Sequence, residues 1–209
     1  GWFNKEINTP SDYNGLKMRM PGLGGRTIEK LGATPVLLAG SDVLPSLSSG
    51  AVDAAEWICP AADLGAGLYQ AAKYYYGPGW HEPSTLLDLS MDLASWEKLD
   101  SATQGLIDDM TKSFNMTVFS RFQAANGPAL QKLLGEHNVQ LKQFPDEVLI
   151  ALGNAAGEVV SERGSINSET KGICNHLLSF RKNIMDWSTK GESEFARIRN
   201  LSFKYPDSV

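Results

Sequence analysis

The sequence predicts an α/β fold in which a parallel sheet is wrapped by helices. Short apolar runs alternate with helix-patterned stretches in the order strand, helix, strand, helix, strand through the first 57 residues, and strands joined through helices lie parallel. The chain has 209 residues, of which 42% are hydrophobic and 21% charged, enough apolar material for one large core or two small ones.

"TPSDYNGLKMRM" opens with a one-turn helix at Thr9-Pro10-Ser11, turns at Asn14-Gly15, and continues as a short strand over 16–20 that Pro21 stops. Residues 22–25 read as a tight connection into a helix that carries Ile28 and Leu31 and ends near Gly32. "TPVLLA" is a second strand, "SDVLPSLSSG" a capped short helix closing on Gly50, and "AVDAAEW" a third strand. "AAKYYYGPGWHEP" is a strand running into a Pro/Gly-rich corner, and "STLLDLSMDLASW" an extended apolar segment leading to a capped helix. The run of three tyrosines alternates faces, with core on one side and surface on the other as the expectation.

From Ser101 to about Leu134 the helical pattern hardly breaks, with Leu106, Met110, Phe114, Val118 and Phe122 spaced by four along one stripe and a bend expected near Gly127-Pro128. A short strand, "VQLKQF", a helix over 145–163, and a helical tail from Ile166 carrying Leu177, Phe180, Ile184 and Trp187 complete the chain. There are no repeats and no low-complexity linker.

The formal charge of -5 and the lack of a Lys/Arg stripe interleaved with aromatics argue against nucleic acid as a partner. No run approaches the roughly 20 apolar residues of a membrane-spanning helix. The chain opens on Gly1-Trp2-Phe3 without a methionine or a signal-peptide pattern, so it is expected to be processed or cut. Cys59 and Cys174 have neither CxxC spacing nor histidines placed as metal ligands, and are expected as free thiols.

Arg19, at the C-terminal end of a parallel strand, offers a planar two-toothed donor to a carboxylate at the crevice of the sheet. Read from its residues alone, it fits equally a surface arginine or one paired to an acid such as Asp53. The glycines that follow lack the Lys-Ser/Thr of a phosphate loop. Glu56 ends the third strand, where a solvated strand end outweighs a crevice ligand. His81 and Glu82 sit on the rigid corner in "GWHEP" and together resemble an acid/base pair. No Ser or Cys nucleophile stands at a matching spacing, and a lone histidine is more often a structural hydrogen-bond donor.

Taken together, "GLKMRMPGLGG", "LGATPVLL", "PSLSSGAVDAAEW", "GLYQAAKYYYGPGWHEP" and "SWEKLD" resemble the solute-binding proteins of tripartite ATP-independent periplasmic (TRAP) transporters, in the branch that binds 2-oxo acids and related small carboxylates. The resemblance spans nearly the whole chain and implies a periplasmic binding protein of type II. It implies that Arg19 clamps the substrate carboxylate, that the Glu56 side chain and the Trp57 backbone carbonyl help hold a cation, sodium or another hard cation such as calcium, and that Glu82 lines the same site.

Family members carry a first lobe before the point where this sequence starts, so the resemblance implies a fragment. Residues 1–84 and 125–190 form most of the second lobe, 85–124 a segment that completes the first lobe together with the long linking helix, and 191–209 a C-terminal helical tail. The implied function is the capture of a small oxo or hydroxy monocarboxylate, such as pyruvate or lactate, for delivery to the TRAP membrane permease, without catalysis. The rivals are a sensor or assembly module that has lost the ligand, and an enzyme using His81 and Glu82. Some relatives exchange C-terminal helices, so a homodimer or larger is expected, with Leu86, Leu87 and Leu89 or the tail helix in the contact.

Overall fold

The computed structural model describes residues 1–82 and 87–204. Two compact units divide the chain, Gly1–Ala156 and Gly157–Val209.

In the first unit the described residues form a sheet of six strands: β1 (Trp2–Phe3), β2 (Lys17–Arg19), β3 (Thr34–Val36), β4 (Ala54–Ala55), β5 (Tyr74–Gly77) and β6 (Gln140–Gln143). Their order across the sheet is β3-β2-β4-β1-β5-β6. β3, β2 and β4 run parallel, as do β5 and β6, while β1 is antiparallel to both β4 and β5. The sheet is therefore mixed, and the departure from the expected parallel sheet lies in β1. Two residues cannot display a period, so Trp2 and Phe3 carry no strand signal.

Helices α1 (Gly22–Glu29), α2 (Gly40–Ser49) and α3 (Pro60–Ala66) follow β2, β3 and β4. Gly50 and Gly67 end α2 and α3 in the left-handed conformation that glycine adopts without a Cβ penalty. α1 begins at Gly22 rather than after residue 25, and packing explains why glycines serve there. A Cβ on Gly25 would lie 2.6 Å from the Met20 carbonyl oxygen and 3.1 Å from Pro35 Cβ, so the close seating of α1 on β2 and β3 overrides the low helix propensity of glycine.

Side chains of alternate residues reach opposite faces of the sheet, and both faces are covered. On one, Phe3, Met18, Tyr76 and Ala54 join Ile28, Phe144 and Leu152; on the other, Trp2, Ala55 and Tyr75 join Val43, Leu47, Leu68 and Leu133. The tyrosine run thus serves two cores rather than a core and a surface: Tyr75 and Tyr76 are buried and Tyr74 is half-buried. Trp2 stacks on Tyr75, with centroids 4.4 Å apart, and Phe3 meets Tyr76 edge-on.

After the corner that follows β5, α4 (Leu93–Trp96) is capped by Asp92 and α5 (Ser101–Gly135) by Asp100, whose carboxylate accepts from the Thr103 N–H at 2.8 Å. α5 is continuous through Gly127 and Pro128. Asn126 on α5 accepts from the Ala61 N–H at the start of α3 at 3.1 Å. The expected stripe on α5 is open to solvent at Leu106, Met110, Phe114 and Phe122, as are Leu87 and Leu89. Thr85 and Leu86 lie outside the described residues. α6 (Asp146–Gly164) begins in the first unit and ends in the second.

In the second unit, α7 (Ser168–Ser188) carries an Asn167–Thr170 capping box and exposes Ile173, Leu177, Phe180 and Trp187. A π turn at Thr189–Ser193 leads into α8 (Glu194–Arg199). Cys59 and Cys174 are both free. Among the described residues no helix is long and apolar enough to cross a membrane.

Candidate functional site

Arg19 ends β2 and faces Ala55, its register partner at the end of β4. The next residue, Glu56, donates its N–H to the Arg19 carbonyl at 3.1 Å. Arg19 Nη1 in turn reaches the Glu56 carbonyl at 3.3 Å and the Glu56 carboxylate directly. Glu56 is only 4% exposed, which corrects the expectation of a solvated strand end. The corner after β5 covers it, and His81 Nε2 lies 3.4 Å from the second carboxylate oxygen. Nor is Asp53 the partner of Arg19: its carboxylate accepts from the Lys17 backbone N–H at 2.9 Å.

The Arg19 guanidinium lies over the Trp57 ring, 5.3 Å from its centroid, within cation–π range. The ring packs against Gly40 at the start of α2, where a Cβ would approach it to 2.9 Å. Burial lowers the pKa of Arg19 and pushes His81 down to about 4, so His81 is neutral at pH 7. Arg19 Nε and His81 Nδ1 are buried and find no hydrogen-bond partner among the described residues. Buried polar atoms of this kind call for an acceptor or donor from elsewhere.

Glu56, His81 and Glu82 each offer a donor atom within 4.8 Å of the other two. Glu82 is exposed and Glu56 buried, so the group joins the interior to the surface. Beside it opens a cavity of about 330 Å³ lined by Pro21, Gly22, Leu23, Gly24, Glu56, His81 and Glu82. The two carboxylates and the carbonyl of the neighbouring Trp57 are oxygen donors of the kind that suits a hard cation, with the neutral His81 imidazole beside them. The arrangement thus offers oxygen donors for a metal ion at an opening of small-molecule size, with a cationic fork held against one of them, Glu56.

The residues singled out in the sequence, Arg19, Glu56, Trp57, His81 and Glu82, fall in this one region. His81, which by itself reads more as a structural donor than as a base, faces the Glu56 carboxylate. Asp63, which the sequence does not single out, is 2% exposed and accepts from the Ile58 and Cys59 N–H groups that follow Trp57; the signal for it is its place in the first turn of a helix opened by Pro60.

Residues 1–165 match the bacterial extracellular solute-binding protein family 7, DctP. The chain belongs to this family. Over 202 residues it is 36% identical to a monocarboxylate 2-oxoacid-binding periplasmic protein of Nostoc, a match that covers 97% of this chain and 55% of that protein. A TRAP periplasmic solute-binding protein of Pseudoalteromonas atlantica, solved with bound sodium and pyruvate, superposes with a TM-score of 0.89 at 31% identity, covering 98% of this chain and 61% of that one. The counterpart from Colwellia psychrerythraea, solved with calcium and pyruvate, gives 0.88 at 33% identity, with coverage of 96% and 61%. One from Bordetella bronchiseptica, a mixed-occupancy dimer with calcium and picolinate, gives 0.87 at 32%, with coverage of 95% and 59%.

The mixed sheet and its helices are thus those of a DctP-family solute-binding protein. The chain spans a little over half the length of these relatives. The DctP family is one of extracellular solute-binding proteins, a transport class rather than an enzymatic one.

Proposed function

We propose that the protein is the periplasmic binding component of a TRAP transporter, which captures a small 2-oxo or 2-hydroxy monocarboxylate together with a hard cation and hands it to the membrane permease. The pairing of half-buried Arg19 with buried Glu56 carries this reading, because it sets a cation donor and an anionic acceptor side by side at the ends of adjacent parallel strands, with Glu56 lining a cavity.

In this reading Arg19 clamps the ligand carboxylate. One nitrogen, Nη1, is held by Glu56, and the unpartnered Nε belongs to the edge that remains for a carboxylate. Trp57 steadies the guanidinium from its ring face. The Glu56 carboxylate and Trp57 carbonyl hold the cation, and Glu82 lines the opening. The bound cation supplies a positive charge for the ligand's oxo or hydroxyl oxygen, and the relatives solved with pyruvate contain sodium or calcium. The ligand is released as it was bound, with no bond made or broken.

The protein is also a homodimer or larger assembly in this reading, supported by the dimeric Bordetella relative and by the apolar residues exposed along α7. Calorimetry of the full-length protein with pyruvate, with and without sodium or calcium, tests the function. Cation-dependent binding is expected. No heat with pyruvate or lactate under any cation would leave a ligand-free module on the same fold, and consumption of pyruvate followed by NMR would make it an enzyme.

A further inference from the structure

One buried carboxylate stands just outside the site. Asp63, in α3, places its Oδ1 where it accepts from the backbone N–H groups of Ile58 at 3.1 Å and Cys59 at 3.0 Å, while Oδ2 accepts from the Trp2 indole Nε1 at 2.8 Å. Asp63 is 2% exposed, Trp2 fully buried and stacked on Tyr75. The segment after Glu56 is therefore tied through one carboxylate to the central strand β1.

The peptide unit between Trp57 and Ile58 has two ends. Its N–H, from Ile58, points at Asp63. The bond is trans, since the one cis peptide among the described residues is Gly77–Pro78. In a planar trans peptide the N–H and C=O point in opposite directions, so the Trp57 carbonyl is turned away from Asp63. The residue before Trp57 is pinned as well, by the Glu56 N–H bond to Arg19. With both flanks fixed, the carbonyl has one direction. A charge-assisted hydrogen bond at the N–H end also polarises the peptide and increases the negative charge on its oxygen.

We propose that Asp63 is a positioning residue for the cation site: it orients and polarises the Trp57–Ile58 peptide so that the Trp57 carbonyl oxygen is presented as a ligand, with Trp2 fixing Asp63 in turn. This rests on the reading of Glu56 and Trp57 as cation holders. Partners of this kind, one bond behind a ligand, are commonly worth 10- to 100-fold in metal affinity.

The test is calcium titration of the full-length protein by calorimetry, comparing wild type, Glu56→Gln and Asp63→Asn, with the unfolding temperature of each measured without calcium. The Asp63→Asn side chain would keep an oxygen for Ile58 and Cys59 but lose the charge and the full bond to Trp2. Calcium affinity is expected to fall about tenfold in Asp63→Asn. If Asp63→Asn lowers the unfolding temperature while calcium affinity stays within twofold of wild type, Asp63 only braces the fold and the inference is overturned, with the site reading intact. If Glu56→Gln leaves calcium affinity unchanged, the cation site itself is lost and this inference with it. Should Asp63→Asn not fold, wild-type protein labelled with 13C at tryptophan carbonyls and monitored for amide exchange decides the matter. A calcium-induced shift at the Trp57 carbonyl with a protected Ile58 amide supports the inference, and an unshifted carbonyl or an Ile58 amide exchanging as fast as an exposed one refutes it.

Discussion

Arg19 and Glu56 hold each other twice, through backbone and through side chain. The Glu56 N–H donates to the Arg19 carbonyl, and Arg19 Nη1 donates both to the Glu56 carbonyl and to its carboxylate. A guanidinium fixed at one nitrogen by its own neighbour strand is preorganised, so less rotamer entropy is lost when an anion arrives.

Arg19→Lys is therefore expected to weaken pyruvate binding by the full-length protein at least about a hundredfold, since a charge-assisted two-toothed contact in a closed cleft contributes on the order of 3 kcal/mol. An ammonium cannot serve Glu56 and the ligand from one plane. Calorimetric affinity within a few-fold of wild type would remove Arg19 from the clamp role.

Glu56→Gln takes negative charge from the cation site and leaves its shape. Pyruvate affinity should fall at low sodium and recover as sodium is raised, because cation binding and ligand binding are linked. A titration of affinity against sodium measures this. A defect of equal size at every sodium concentration would make Glu56 a direct ligand contact instead.

Gly25→Ala addresses the fold beneath the site. The added Cβ would meet the Met20 backbone oxygen at 2.6 Å, and a main-chain carbonyl between β2 and α1 cannot rotate aside as a side chain can. A loss of about 2 kcal/mol is expected, which for a chain of this size lowers the unfolding midpoint by about 4–8 °C. Thermal unfolding followed by circular dichroism reads it, and an unchanged midpoint would mean that α1 is free to shift off β2.

His81 gives the structure a pH dependence with a defined sign. Burial holds its pKa down to about 4 in the folded protein, against about 6.5 when unfolded. The unfolded chain binds the proton more readily, so the contribution of neutral His81 is fully present above about pH 6.5 and is lost as pH falls through that value toward 4. Asp63, whose pKa burial raises, acts in the opposite sense. The difference in urea midpoint between wild type and His81→Gln, followed from pH 7 to pH 4, isolates the histidine. That difference should shrink or reverse in acid, and a constant offset would contradict the buried neutral state.

Much of the framework is legible because Pro and Gly punctuate it: Pro21 after β2, Gly50 after α2 and the Gly77–Pro78 corner after β5 mark the ends where the structure has them. β1 escapes, being too short for periodicity and fixed by pairing with β4 and β5, which lie more than 50 residues away. The glycines of α1 read as a connection because propensity is local while the need for a bare Cα comes from Met20 and Pro35. The site shows the same limit. Arg19 and Glu56 stand out singly, but their pairing depends on β2 and β4 being neighbours, which no spacing encodes; the family resemblance, rather than periodicity, joins them. His81 reads in its own stretch of sequence only with Glu82, because Glu56 reaches it only through the fold.

α7 carries an apolar row suited to contact with a second copy. Ile173, Leu177, Phe180, Ile184 and Trp187 recur at intervals of four, three, four and three, the seam of a helix that packs along its length against another. Four of these five are exposed and Ile184 is half-buried. Charged Lys171, Arg181, Lys182 and Asp186 occupy other positions of the helix, so the seam is bounded rather than part of a uniformly apolar surface. A solvent-facing row of this kind costs on the order of 1.5–3 kcal/mol for each large side chain left uncovered, and a second copy covers it symmetrically. The full-length protein should therefore elute as a dimer, and Leu177→Glu together with Phe180→Glu should shift it to monomer without lowering pyruvate affinity more than about twofold, because Arg19, Glu56 and the cavity lie in the other compact unit. Light scattering coupled to gel filtration gives the mass directly. A wild-type monomer, or a double variant that stays dimeric, would show that this seam is not the contact.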